Sequence, residues 1–447
     1  MKTNIDPVKI SEFKCMREPL SLEAVIRESN RCLLCHEAPC SAGCPAGTDP
    51  GRFIRQIRFY NYKGAARTIR NNNILGGVCA FICPVEKLCE KECSIKALED
   101  PININGLQRF VVEYGKAFSL EPMKVSSKNM GHVAIIGAGP AGMSCASSLA
   151  TLDYDVTLYE QEQQAGGIAR YYIPAFRLPE ETLNDDITNL LSQGVKISHG
   201  KNLTYIGTIT DLMKRGFDAV FISTGLSKPF RLELLEGYIN VTDYLSFLRN
   251  IRHDFTAPEL KNKNIAIIGG GSVALDAAVS ASAAGASRVY LISLEHLKEL
   301  PADQEEINLA RLMNVIFKAG SQITRVVAED KQITRLTGIE TDWKEPDNYH
   351  PSNARQIQGT EFSINVDLVV QAIGTCPDDK ITRFARGVEI MGKGTIVTGS
   401  DFSTNLPGVF AGGDVVSGGA TIVQAVGDGK KAAESIHNYL NKRRANQ

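Results

Sequence analysis

The chain has 447 residues, with 49 lysines and arginines against 50 aspartates and glutamates, for a net charge of −1. Its 43% hydrophobic and 22% charged residues are the proportions of an ordinary globular protein, with length for about three domains at roughly 100–200 residues each. That balance excludes a disordered chain and a nucleic-acid binder. No apolar run reaches the ~18 residues of a membrane span, and the opening MKTNIDPVKI lacks the apolar stretch of a signal peptide. The expected location is cytoplasmic, with no membrane partner.

Residues 1–125 lack strand-and-glycine punctuation and read as short helices between cysteine loops, for example Pro50–Asn61 and Tyr62–Asn71. Nine of the 11 cysteines lie between Cys15 and Cys93. A disulfide-stapled secreted domain would be shorter and would spread its cysteines. The thiols form two sets, Cys32-x2-Cys35-x4-Cys40-x3-Cys44 and Cys79-x3-Cys83-x5-Cys89-x3-Cys93. Iron–sulfur clusters take four such ligands each, because soft anionic sulfur stabilises mixed-valence iron, so eight thiols allow two clusters. Paired zinc sites and plain buried thiols are the alternatives; the x4 and x5 spacings fit zinc knuckles less well. Residues 1–128 carry 19 basic and 14 acidic side chains, net +5. Arg52, Arg55, Arg58, Lys63, Arg67 and Arg70 fall in a stretch free of acids from Pro50 to Val85. That stretch is either a solvated helix face or a docking surface for an acidic partner.

Leu120–Met130 reads as a linker. At His132 the texture changes to VAIIGAGPAGMSCASSLA: a β-branched strand Val133–Ile136, a glycine turn and a small-residue helix. Gly137, Gly139, Pro140, Ala141 and Gly142 would bring backbone amides and a helix N-terminus to a pyrophosphate. Glu160 ends the next strand, Asp155–Tyr159, where a carboxylate takes ribose hydroxyls, and Gly166-Gly167 follows. Strands are expected at Ala219–Ser223, Arg288–Ile292 and Asp367–Ala372. IAIIGGGSVALDAA repeats the pattern at Gly269, Gly271, Ser272, Val273 and Ala274, with Glu295 as its acid. A carboxylate there would accept from a ribose diol and repel a 2′-phosphate, which favours NADH over NADPH; the alternative is a surface glutamate. Gly412-Gly413-Asp414, with Thr421 and a helix over Val423–His437, suits a flavin ribityl chain and a helix dipole that favours reduced flavin; the alternative is a turn without ligand. Neither α/β unit contains C-x-x-C, which argues against disulfide reduction. Cys145 reads as packing, and no histidine spacing or acid/base pair suggests side-chain catalysis. No catalytic side chain is therefore assigned, and the chemistry belongs to cofactors.

Taken together, CLLCHEAPCSAGCP, VCAFICPVEKLCEKEC, ININGLQRF, AIIGAGPAGMSCASSLA, IPAFRLP, IIGGGSVALDAA and VFAGGDVV resemble the N-terminal half of dihydropyrimidine dehydrogenases, over nearly all of residues 25–440. In bacteria that half resembles a separate NADH-oxidising subunit; more distantly the chain is similar to the glutamate synthase small subunit. The resemblance implies two interleaved 4Fe–4S sites: Cys32, Cys35, Cys40 and Cys93 for one, and Cys44, Cys83, Cys89 and Gln108 for the other, leaving Cys79 spare. It further implies FAD at the first glycine motif and Asp414, Arg177 against the flavin, and nicotinamide at the second motif with Ala372-Ile373-Gly374. Relatives that use NADPH carry an arginine near Leu294 and Glu295, which this chain lacks. The family's FMN-bearing barrel is also lacking.

The expected architecture is an α-helical iron–sulfur domain (1–125), then α/β Rossmann-like units: an FAD-binding domain (126–262 and 375–447) with an inserted NAD(H) domain (263–374). The expected activity is NADH oxidation at FAD with relay through two 4Fe–4S clusters to an FMN and iron–sulfur partner subunit reducing uracil or thymine. The alternatives are a glutamate synthase-type donor, a free-standing NADH:ferredoxin-type reductase, or a non-enzymatic iron–sulfur adapter.

Overall fold

The computed structural model describes residues 16–118, 128–252 and 257–446. Cys15, His253 and most of the expected linker over 120–130 lie outside them. The described chain divides into two units.

The larger unit comprises Arg17–Arg170, Arg177–Leu226 and Cys376–Gln447. It opens with helices Leu22–Arg31, Pro50–Arg58, Tyr62–Asn72, Gly76–Ile82 and Ile104–Ala117. Helices Pro50–Arg58 and Tyr62–Asn72 each carry an apolar stripe: Phe53, Ile54 and Ile57 meet Ala65 and Ile69, with Leu107 and Val111 of the last helix, in one buried core. Side-chain caps start them where expected, with Asp49 accepting from Arg52 N–H and Asn61 from Gly64 N–H. The helix expected over Pro50–Asn61 ends earlier, at Arg58, because Tyr60 takes φ 59° and turns the chain into the next cap.

The same unit contains a five-stranded parallel sheet in the order Val409–Ala411, Ala219–Ile222, His132–Ile136, Asp155–Tyr159, Lys196–Ser198. Its central strands are buried on both faces, as continuous β-branched runs require. Helix Pro140–Thr151 follows the first of these, and helix Ile422–Ala445 packs along it. The approach depends on small residues. A Cβ at Gly429 would overlap the Ala141 carbonyl oxygen, and Ser144 Oγ donates to the Val426 carbonyl at 2.7 Å. Two residues earlier, a Cβ at Gly427 would stand 2.5 Å from the Pro45 carbonyl oxygen. Helix Ile422–Ala445 therefore touches both the helix after the first glycine motif and the loop after Cys44.

The smaller unit comprises Met16, Tyr171–Phe176 and Ser227–Thr375 among the described residues. Its five-stranded parallel sheet runs Val241–Asp243, Leu368–Gln371, Asn264–Ile268, Arg288–Ile292, Ile316–Lys318. The expected boundary at 263 differs from this: Val241–Asp243 pairs with Leu368–Gln371, and helix Tyr244–Ile251 buries Phe247 and Leu248 in the same core. An antiparallel sheet of Ser321–Glu329, Gln332–Trp343, Ala354–Gln356 and Phe362–Asn365 was not expected. Its first hairpin turns at Asp330-Lys331, both at positive φ, without the Asn-Gly signature that announces such turns.

Gly429→Ala should cost about 1–3 kcal/mol through overpacking against a backbone oxygen that cannot retreat. Gly392→Ala, with nothing within 4 Å of the added carbon, should stay within about 0.5 kcal/mol. Thermal unfolding of the two variants checks both.

Candidate cofactor and cluster sites

Cys32, Cys35, Cys40 and Cys93 line one pocket with Ala38 and Ile95. The chain ends bracketing it are tied down: Arg58 donates to the Cys32 carbonyl at 3.0 Å, and Cys35 Sγ lies 3.3 Å from Ser94 Oγ. Burial, then the neighbouring Cys93 and Cys32, push the Cys40 thiol up to about 11. Thiols crowded this way repel one another as thiolates, and iron supplies the counter-charge that such a cage needs. The residues fit a cluster.

Cys44, Cys79, Cys83 and Cys89 form a second group, near enough for their charges to act on one another. Burial raises the Cys83 thiol well above its ordinary range, followed by the charges of Cys79, Cys89 and Cys44. Burial pushes buried Cys79 up to about 12, and its sulfur accepts from Asn73 Nδ2 at 3.3 Å. Gln108, buried on helix Ile104–Ala117, donates through Nε2 to the Gly76 carbonyl at 2.8 Å, at the start of the helix bearing Cys79. That bond engages the amide nitrogen and not its oxygen. Asp186 accepts from Val78 N–H at 2.9 Å, tying this helix to Glu180–Ser192, and burial pushes its carboxyl up to about 7.

Two residues around Cys44 were missed by sequence reasoning. Thr48 N–H donates to Cys44 Sγ at 3.4 Å, and Asn73 Nδ2 donates to Thr48 Oγ1 at 3.1 Å. Neither belongs to a spacing pattern; only the fold brings them together. The basic stretch also divides. Arg52, Arg55, Lys63 and Arg67 are exposed, whereas Arg58 and Arg70 turn inward. Phe59 and Tyr60, 68% and 65% exposed, stand beside the outward set.

At the first glycine motif, Gly137 has φ 103°, and a Cβ there would press on the Ser223 carbonyl at 2.5 Å. Gly142 lies against the Gly137 carbonyl, closing the helix onto the strand. At Gly139, by contrast, an added carbon would meet nothing within 4 Å, and no side chain caps the helix that starts at Pro140 with Ala141 next. This is a cradle with its amides free for a phosphate. A Cβ on Gly167, at φ 53°, would stand 2.9 Å from the Gly139 Cα; the turn is held by buried Arg170, which donates to the Ala165 carbonyl and pairs with Glu180 at 2.9 Å. Glu160 is buried at the strand end: its Oε2 accepts from Ala138 N–H and its Oε1 from Glu162 N–H, each at 2.9 Å. Burial raises its pKa against those bonds. Arg177 is half-buried in the same unit.

Gly413, at φ 74°, reaches the same helix, its added carbon 2.9 Å from the Ala141 methyl. Asp414 accepts from Ala420 N–H at 3.0 Å, and burial pushes its carboxyl up to about 6. Thr421 caps helix Ile422–Ala445 in a reciprocal box with Gln424. Two helix N-termini thus flank Gly413-Asp414.

The second motif repeats this geometry in the smaller unit. Gly269 (φ 139°) sits against the Ala372 carbonyl, and Ala274, fully buried, replaces the third glycine at 3.4 Å. Gly271 has open space and no side-chain cap over Ser272 and Val273. The Glu295 carboxylate points back to this turn, its Oε2 3.0 Å from where a Gly270 Cβ would stand. The Glu295 carbonyl accepts from Gly320 N–H at 2.8 Å, which anchors the loop. Lys318, opposite Ile292, lies over the Phe362 ring at 4.9 Å. Gly374 takes φ 101°, and its carbonyl accepts from Phe230 N–H at 3.0 Å, with Ile373 between it and Ala372. Among the described residues no helix is long and apolar enough to cross a membrane.

Comparison with known proteins gives two family matches. Residues 131–429 match the pyridine nucleotide-disulphide oxidoreductase family, and residues 9–119 match the family described as dihydropyrimidine dehydrogenase domain II, 4Fe-4S cluster. The chain is 38% identical over 421 residues, 93% of its length and 94% of the other, to the NAD-dependent dihydropyrimidine dehydrogenase subunit PreT of Escherichia coli K12. It is 35% identical to the NADP(+)-dependent formate dehydrogenase subunit beta of Moorella thermoacetica, covering 90% of this chain and 60% of that one. Thioredoxin reductase of T. acidophilum, 24% identical with a TM-score of 0.50 over 68% of this chain and 97% of its own, shares the fold. An FAD- and NAD(P)-binding oxidoreductase preceded by a 4Fe–4S domain, alike over almost the full length of both chains, makes this protein a member of the family of NAD-dependent dihydropyrimidine dehydrogenase PreT subunits.

Proposed function

We propose that this chain is the electron-input subunit of a dihydropyrimidine dehydrogenase, oxidising NADH and delivering electrons to an FMN and iron–sulfur partner that reduces uracil or thymine. When bound, FAD would accept a hydride from NADH and two 4Fe–4S clusters would pass the electrons on singly. The observation that carries the reading is the shared helix: Ile422–Ala445 is packed on the helix of the first glycine motif and on the loop after Cys44, so flavin and cluster residues belong to one packed body.

The chain's own residues do the holding. Bare amides at Gly139 and Gly271 receive pyrophosphates, with Glu160 and Glu295 for the ribose hydroxyls. Cys32, Cys35, Cys40 and Cys93 hold one cluster; Cys44, Cys83, Cys89 and the Gln108 oxygen hold the other. NADH is favoured because Glu295 would repel a 2′-phosphate, in keeping with the name of the Escherichia coli relative. Neither α/β unit contains C-x-x-C, so the thioredoxin reductase likeness is one of fold. The exposed Arg52, Arg55, Lys63 and Arg67, with Phe59 and Tyr60, form the face offered to an acidic partner. The relation to a formate dehydrogenase subunit supports a second reading in which the same input module feeds another dehydrogenase.

Anaerobic mixing with NADH should bleach the flavin and bring up an iron–sulfur EPR signal; addition of the co-purified partner and uracil should then yield dihydrouracil. Bleaching without uracil reduction by any co-purified partner selects the second reading, and no bleaching ends both. Replacing Leu294 with Arg and Glu295 with Ala should lower the NADH-to-NADPH ratio of kcat/KM at least about tenfold; an unmoved ratio removes Glu295 from the site. Gln108→Ala should change the potential or occupancy of one cluster and spare the other, whereas Cys79→Ser should retain both. Iron content and an EPR-monitored titration check this pair.

A further inference from the structure

We propose that Lys430 is a positioning residue that holds a positive charge against the iron–sulfur centre bound through Cys44 and thereby raises that centre's reduction potential. The inference rests on the reading of Cys44 as a cluster ligand given above. Lys430 is half-buried in the third turn of helix Ile422–Ala445, and its Nζ donates to the Ala46 and Asn72 carbonyls, each at 2.7 Å. Among the described residues, no carboxylate pairs with it. A desolvated ammonium satisfied only by two carbonyl dipoles is a costly arrangement. Cys44, whose sulfur would carry negative charge as a cluster ligand, lies two residues before Ala46.

The surroundings aim the charge. Burial lowers the Lys430 pKa, and the charge of Cys44 opposes that fall. The loop between them is compact: Gly47 N–H donates to the Cys44 carbonyl at 2.9 Å, and a Cβ on Gly47 would lie 3.6 Å from Lys430 Nζ. Thr48 and Asn73 meet the Cys44 and Cys79 sulfurs with neutral donors; of the two cations nearby, Arg17 donates to the Phe81 and Cys83 carbonyls on the Cys83 side, and Lys430 stands on the Cys44 side. Asp428 lies two residues earlier and faces away, accepting from Gly413 N–H at 3.2 Å beside the flavin motif. Positions i and i+2 point to opposite sides of a helix, so the carboxylate cannot neutralise the ammonium. A reduced cluster carries one more negative charge than an oxidised one, and a fixed cation nearby favours the reduced form.

The test is a dithionite- and mediator-poised EPR titration of the full holoprotein, with iron counted in every sample. Lys430→Gln should shift one centre at least tenfold toward its oxidised form at a given potential, a fall of 59 mV or more for one electron, with the other centre unmoved. Lys430→Arg should restore the wild-type value. Lys430→Met removes the charge but keeps an unbranched side chain, and should lower the same centre's potential equally; it decides the matter if Lys430→Gln loses iron. Fully loaded variants with unmoved potentials overturn the proposal and leave Lys430 a mechanical clamp. Wild-type protein that shows no iron–sulfur signal under dithionite instead overturns the cluster reading beneath it.

Discussion

The close approach of helix Ile422–Ala445 to two neighbours at once is the contact on which the larger unit depends. Gly429 lets it lie on the Ala141 carbonyl, and Gly427 lets it lie on the Pro45 carbonyl. Both neighbours are backbone atoms that cannot move aside without disturbing a glycine turn or a cysteine loop. The helix is therefore less a scaffold element than a spacer whose thickness is set by missing side chains. Its capped N-terminus stands at Gly413-Asp414, and its third turn reaches the loop after Cys44. A nucleotide cradle and a thiol cage are thus built on opposite flanks of one rigid rod.

The two glycine motifs show how the same local rule is met with different residues. In both, the first glycine abuts a carbonyl from the neighbouring strand end, Ser223 in one and Ala372 in the other, while the second faces open space. The third position needs only a small side chain, which is why buried Ala274 serves where Gly142 stands in the first unit. The acids differ more. Glu160 is buried and gives its oxygens to two backbone N–H groups, so it braces the turn it also serves. Glu295 is half-buried, its loop is held through its main-chain carbonyl, and its carboxylate lies beside the turn at Gly270.

Around the thiols, the polar environment is supplied by residues far apart in sequence. Asp186 reaches across to the helix of Cys79, Asn73 touches a sulfur, and Arg58 braces the Cys32 carbonyl. The basic stretch that reads as one patch therefore has two parts. Its exposed members face solvent, while Arg58 and Arg70 turn into the domain itself. Sequence charge alone does not separate these roles, because helix register relative to a core decides which arginine meets water.

The cysteine spacing, both glycine motifs with their acids, and the strands Asp155–Tyr159 and Arg288–Ile292 were legible in the sequence, because each is a short-range pattern dictated by local backbone or ligand geometry. The hairpin at Asp330-Lys331 was not, since its residues tolerate positive φ without advertising it. Nor was the start of the smaller unit at Ser227, which depends on Val241–Asp243 pairing with a strand more than a hundred residues away. That a lysine near the C-terminus rests on the loop after Cys44 and on the end of helix Tyr62–Asn72 was decided by tertiary structure alone. Those contacts join segments hundreds of residues apart, and only the packing of helices through glycine gaps brings them within reach.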